Sequence, residues 1–239
     1  MSIKTILLAL CLLTAGMGMS YAQDMDHDHG GGTLYHMFRI EKDIGVDAYG
    51  KTALNLDARG WVGTDTNKLW LRTQGEHKDG KLQSAELWAL YSRNIATFWD
   101  AQAGLRYDMK PVGTTYAAFG LNGLAPYFFD TEAHFFISHR GDVTARLREE
   151  NDLLLTQKLI AQPYLEINMA AQKIQAQSAG AGLSDGKIGL QTRYEFTRSF
   201  APYVDVHYGR KFGETSLMAQ HANETPQETI GAIGLRVMF

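Results

Sequence analysis

The chain has 239 residues, a formal net charge of −3, an ordinary apolar share of 45% and a single cysteine, Cys11. No stretch beyond residue 22 approaches the roughly 18 consecutive apolar residues of a membrane-spanning helix, which excludes a helical membrane protein. The mildly acidic balance offers no basic footprint, which argues against nucleic acid as a partner.

The first element in chain order reads as an export signal. Lys4 supplies a positive start, residues 6–13 are apolar but too short to cross a bilayer as a helix, and Ser20-Tyr21-Ala22 places small residues where a signal peptidase cuts. Leu10, directly before Cys11, is not small, which argues against a lipoprotein. The signal therefore covers residues 1–22, and the mature chain is expected to begin at Gln23. It then carries no thiol, so disulfides and thiolate metal sites are excluded.

Residues 23–33 follow as a polar tail in which Met25, His27 and His29 alternate with Asp24, Asp26 and Asp28 ahead of three glycines. Short His-rich tracts bind metal. Imidazole suits copper, zinc and nickel, thioether adds a preference for Cu(I), and carboxylates stabilise the cation. A solvated export tail would have much the same composition. Neutral imidazole is the ligand form, so binding is expected to weaken as pH falls below about 6.

From residue 34 onward the sequence alternates in segments of about ten residues, the length of a tilted barrel strand. In 99–108, Trp99, Ala101, Ala103, Leu105 and Tyr107 share one face, and Asp100, Gln102, Gly104, Arg106 and Asp108 share the other, because successive strand side chains point oppositely. Segments 129–138, 161–169 and 188–195 repeat the pattern. Strands are predicted near 34–43, 51–62, 67–77, 81–92, 99–108, 114–122, 127–138, 142–152, 159–170, 186–196, 202–210 and 229–239. That makes about twelve, an even number as single-chain bacterial barrels require. With both termini in the periplasm, the even-numbered connections are short turns, and the two longest, 171–185 and 211–228, fall outside the cell.

A soluble β-sandwich or lipocalin-like barrel alternates in the same way. Three features favour an all-β, antiparallel, up-and-down transmembrane barrel over residues 34–239. Aromatics (Trp61, Trp70, Tyr91, Trp99, Tyr107, Phe128 and Tyr194) end the apolar faces, as in membrane girdles. The opposite faces carry several charges per strand, which suits a wet lumen. The last strand puts Leu235, Val237 and the terminal Phe239 on one apolar face, resembling the signal that barrel-assembly machinery recognises. The expected location is the outer membrane of a Gram-negative bacterium, with its lipid as a partner.

Charges of both signs fall on the predicted luminal faces, and the plain reading is an ion-paired interior. A sharper one is a metal site. Glu132 with His134, and Asp205 with His207, stand at i, i+2 and so share a face, where each pair could ligate one ion with help from a facing strand. Catalysis is weaker: Ser138 and His139 are adjacent and point to opposite faces, and no nucleophile-elbow pattern occurs.

The stretches NKLWLRTQGE (67–76), ELWALYS (86–92), FWDAQAGLRYD (98–108), GLNGLAPYFFD (120–130), YEF (194–196) and FAPY (200–203) resemble the copper resistance protein B family, and the resemblance extends over about residues 50–239. It implies an outer-membrane barrel, encoded with periplasmic copper-handling proteins as candidate partners, that binds copper ions and contributes to copper tolerance by sequestration or export. Many members carry repeated Met- and His-rich motifs in a long N-terminal region; here only Met25, His27 and His29 stand in that place. The expectation is a non-enzymatic copper-binding barrel, with the tail and a luminal cluster near Glu132, His134, Asp205 and His207 as sites. A barrel hydrolase using Asp205 and His207, or a passive small-solute barrel, is the alternative.

Overall fold

Thirteen strands alternate along the described residues, 33–239, of a computed structural model. The signal and the tail, with Met25, His27 and His29, lie outside the described residues. The strands are β1 (Tyr35–Asp47), β2 (Thr52–Gly63), β3 (Asn67–Lys78), β4 (Lys81–Ala96), β5 (Trp99–Lys110), β6 (Thr114–Ala125), β7 (Phe129–Ser138), β8 (Val143–Glu150), β9 (Leu153–Leu154), β10 (Leu159–Ala170), β11 (Gly182–Tyr194), β12 (Phe200–Lys211) and β13 (Gln227–Met238). Neighbours pair antiparallel in chain order, and β1 closes the ring against β13. Closure leaves no unpaired edge, which lipid would not tolerate.

The ring has twelve staves, because β8 and β9 share one against β10. The predicted strand 142–152 is thus interrupted. The break at Asn151 and Asp152 lies beside Pro163, which has no N–H to donate; Asn151 N instead donates to the Pro163 carbonyl at 3.1 Å.

The outer surface is apolar. Phe135 is 62% exposed and Ile233 67%, while Trp88 and Phe136 on the inner face are each 1% exposed. Such a continuous apolar exterior is foreign to a monomer in water and ordinary against hydrocarbon. Tyr91, Trp99, Tyr194 and Phe200 ring the end that holds the termini, and Tyr107 and Tyr208 the other. Trp61 and Trp70 correct the predicted girdle, for both face inward. Lys68 Nζ lies 5.7 Å from the Trp61 ring, and Trp70 packs on the buried cluster around Trp88. Their strands place tryptophan in register with luminal charges, and periodicity alone does not say which face is wet.

Phe239 joins the last strand to the first. Its N–H donates to the Phe38 carbonyl at 3.0 Å, its carbonyl accepts from Phe38 N at 2.8 Å, and the two rings stack at 5.9 Å. Deleting Phe239 is expected to lower the yield of folded, heat-modifiable barrel in outer-membrane fractions; an unchanged yield would show that closure does not need it.

The two long connections leave the end opposite the termini. One contains helix α1 (Gly213–His221), where the periodicity predicts only a connection, and Thr215 and Ala219 of α1 are buried. Thr215 Oγ1 accepts from Gly180 N at 2.8 Å, tying α1 to the other connection. That second segment also reaches the lumen, where Gln177 Nε2 donates to the Tyr116 hydroxyl and approaches Asp108 at 3.4 Å.

Candidate functional site

Strand parity sends Arg39, Arg59, Arg72, Arg106, Arg146, Arg148 and Arg236 inward together with a matching set of carboxylates. They meet across the bore. Arg59 on β2 donates to Glu132 Oε1 on β7 at 2.8 Å and to Glu150 Oε1 on β8 at 3.0 Å. Arg72 donates to the other Glu132 oxygen. Arg148 lies 2.5 Å from Glu150 and 3.5 Å from Asp57. This belt spans the middle of the lumen.

Beside it, Glu86 accepts from Arg146 at 2.8 Å and pairs with Arg106 at 2.8 Å. The guanidiniums of Arg72, Arg106 and Arg146 surround the Trp88 ring at 5.3, 5.3 and 5.4 Å, where cation–π attraction offsets part of their desolvation. Trp88 in turn meets His134 and Phe136 edge-on at 5.3 and 5.0 Å.

The belt divides the interior. On the side of the termini a space of about 20 Å³, lined by Arg59, Trp70, Arg72 and His134, has room for roughly one water. On the side of the long connections a cavity of about 450 Å³ is walled by Asp43, Tyr164, Tyr203, Asp205 and His207 among others. Asp205 Oδ2 lies 2.6 Å from His207 Nδ1 and accepts from the Tyr164 hydroxyl at 3.2 Å. Asp43 accepts from Asn55 Nδ2 at 2.9 Å and from the Tyr203 hydroxyl at 3.0 Å. Each tyrosine lies across a glycine of the strand between it and its acceptor. A Cβ on Gly189 would stand 2.4 Å from the Tyr164 ring, and one on Gly234 would stand 2.3 Å from that of Tyr203.

The four predicted luminal residues do not form one site. Glu132 is held by two guanidiniums within the belt, and His134 Nε2 shares a 2.8 Å hydrogen bond with Gln102 Oε1. Asp205 and His207 face the larger cavity instead. Ser138 serves its hairpin turn, donating to Asp142 Oδ2 at 3.0 Å and accepting from two backbone N–H groups. Among the described residues, no group of three or more His, Cys, Asp or Glu side chains converges as a ready-made metal cage.

Arg59, Asp43, Tyr164 and Tyr203 were not singled out from the sequence as site residues. For Arg59 and Asp43 a signal existed: Asn55, Asp57 and Arg59 alternate with Leu54, Leu56 and Ala58, and Asp43 continues the Arg39, Glu41 row. For the tyrosines the partners sit two strands away, which spacing does not encode.

A closed ring of twelve tilted staves, apolar outside and ion-paired within, is an outer-membrane β-barrel. Its two long connections share one end, which in barrels of this kind is the outer one. Solved structures agree on the fold. A NanC porin superposes with a TM-score of 0.59 at 10% identity, covering 83% of this chain and 98% of that one. A KdgM porin gives 0.51 at 12% identity, covering 84% and 99%.

The family described as "Copper resistance protein B precursor (CopB)" matches residues 39–239, and the chain belongs to it. It is 39% identical over 180 residues to "Copper resistance protein B" of Escherichia coli, covering 75% of this chain and 61% of that protein. It is 39% identical over 220 residues to "Copper resistance protein B homolog" of Pseudomonas syringae pv. tomato, covering 92% and 75%. The alignment thus spans about three fifths of the E. coli relative.

Proposed function

We propose that this barrel contributes to copper resistance in the outer membrane by binding copper ions, and so sequestering or exporting them, without chemical turnover. Membership of the copper resistance protein B family supports the copper assignment. The observation that carries a luminal role is the Asp205–His207 pair on the wall of the large cavity, because a carboxylate on one ring nitrogen orients the other toward a metal. Glu132 and His134 would join only if the belt opened, since each already has strong partners.

Met25, His27 and His29 supply thioether and imidazole donors on the segment that precedes β1, whose first residue lies at the periplasmic end. They are the proposed capture point for copper released by periplasmic copper-handling proteins.

Copper titration of the purified protein, without an affinity tag, tests the tail. The His27→Ala, His29→Ala double variant is expected to bind fewer copper ions per chain than the unaltered protein. Unchanged stoichiometry would remove the tail from the reading, and no copper bound by the unaltered protein would leave a passive barrel.

A further inference from the structure

Five buried N–H groups of the lumen have no hydrogen-bond partner among the described residues, and they belong to four side chains that wall one space. They are Arg59 Nε, Arg72 Nε and Nη2, Trp70 Nε1 and Trp88 Nε1, and the space is the small one of about 20 Å³ on the side of the termini. Arg59 and Arg72 are each 7% exposed and Trp88 1%. A buried donor without an acceptor is costly, and a group of them in one place signals an ion or water that belongs there.

Other unbonded atoms of the lumen do not gather in this way. Arg236 Nε and Glu41 Oε1 stand 2.5 Å apart, so cation and carboxylate face each other directly. Around the small space the side-chain acceptors are engaged or too far. Glu132 turns its two oxygens to Arg59 Nη1 and Arg72 Nη1, and Gln102 Oε1 shares its hydrogen bond with His134 Nε2. The Asp57 oxygens lie 4.0 Å from Arg59 Nε and 3.8 Å from Arg72 Nη2, beyond hydrogen-bond reach.

Donors therefore dominate the wall. A water accepts from two of them and must still place two hydrogens of its own, whereas an anion accepts from every side and has none to place. Charge points the same way, because two guanidiniums and one carboxylate, Glu132, line the space. The indole N–H groups add donors without adding charge. With room for roughly one water, the space excludes phosphate, sulfate and organic carboxylates.

We propose that Arg59, Arg72, Trp70 and Trp88 bind one monatomic anion of the halide class, chloride under physiological conditions, against the belt. The site is independent of copper. The anion rests on the same two guanidiniums that hold Glu132 and satisfies the edges that Glu132 leaves open. A ligand that binds only the folded chain stabilises it by mass action, so chloride should strengthen the barrel up to saturation of one site.

The test is heat unfolding of the purified protein in detergent, with chloride titrated against gluconate at constant ionic strength so that screening does not change. The midpoint is expected to rise and then saturate, and bromide should reproduce the rise. Trp70→Phe, which keeps an aromatic ring and removes one N–H, should weaken the apparent chloride affinity by about 10- to 100-fold, the worth of one hydrogen bond to a charged group. Trp88→Phe should act in the same direction. Crystals of the unaltered protein grown in bromide should show one anomalous peak within hydrogen-bond distance of Arg72. A midpoint that ignores chloride, or climbs without saturating, would mean a water in the space and overturn the proposal. So would unchanged affinity in the indole variants, or bromide found at the surface as an adventitious ion only. If one indole variant does not fold, the other and the bromide map decide.

Discussion

Replacing Glu132 by leucine is expected to destabilise the barrel by about 3 kcal/mol, the lower end of the cost of removing one partner from a buried ion pair. Glu132 accepts from both Arg59 and Arg72, so its loss leaves two guanidiniums facing one another in a narrow bore. The lower end applies because Arg59 retains Glu150 at 3.0 Å and Arg72 retains Asp57 at 3.8 Å. Urea unfolding in lipid vesicles gives the measurement. Adding Arg72→Met should recover most of the loss, since the second change removes the cation left uncompensated. If the single variant unfolds at the same urea concentration as the parent, the belt is a hydrated set of charges and not a structural closure. The same variant separates two roles for Glu132. A stability loss with unchanged copper stoichiometry would assign it to the belt and not to a metal.

Replacing Lys42 by leucine is expected to have the opposite sign, stabilising the barrel by about 2 kcal/mol in vesicles. Lys42 lies on the outer face near the middle of β1, between Ile40 and Ile44, and its register partners are Leu56 and Leu235. A lysine facing lipid at the bilayer midplane costs about 2–4 kcal/mol, and leucine removes that cost. Ile188→Arg, which introduces a cation on the apolar face of β11, should lose a similar amount. Both variants test the membrane assignment directly. An outer surface bathed in water would show no gain for Lys42→Leu and little penalty for Ile188→Arg.

Most of the architecture was legible in the residues because a barrel strand exposes its two faces to different solvents. The 99–108 alternation predicted β5, with Asp100 and Gln102 buried in the lumen and Leu105 exposed to lipid. Pro163 shows where the reading stopped. Its segment was predicted as a strand and is one, but its missing N–H acts on the neighbouring stave, splitting β8 from β9. Helix α1 was also missed, because α1 packs through Thr215 and Ala219 and shows no broad apolar face to reveal it.

The candidate site divides along the same line. The i, i+2 spacing put Asp205 and His207 on one luminal face, and the structure places their side chains 2.6 Å apart. The same spacing treated Glu132 and His134 as equivalent to them, although one pair is locked among arginines and the other borders a cavity. Sequence by itself determined which side chains share a face, how many staves close the ring and which end carries the long connections, because these follow from a period of two and from turn spacing; that Trp61 and Trp70 face the lumen came from the structure. Only the tertiary structure decided which charges cancel. A salt bridge such as Arg59 to Glu132 joins residues 73 positions apart across the bore, and that distance depends on ring closure and register, not on any local pattern.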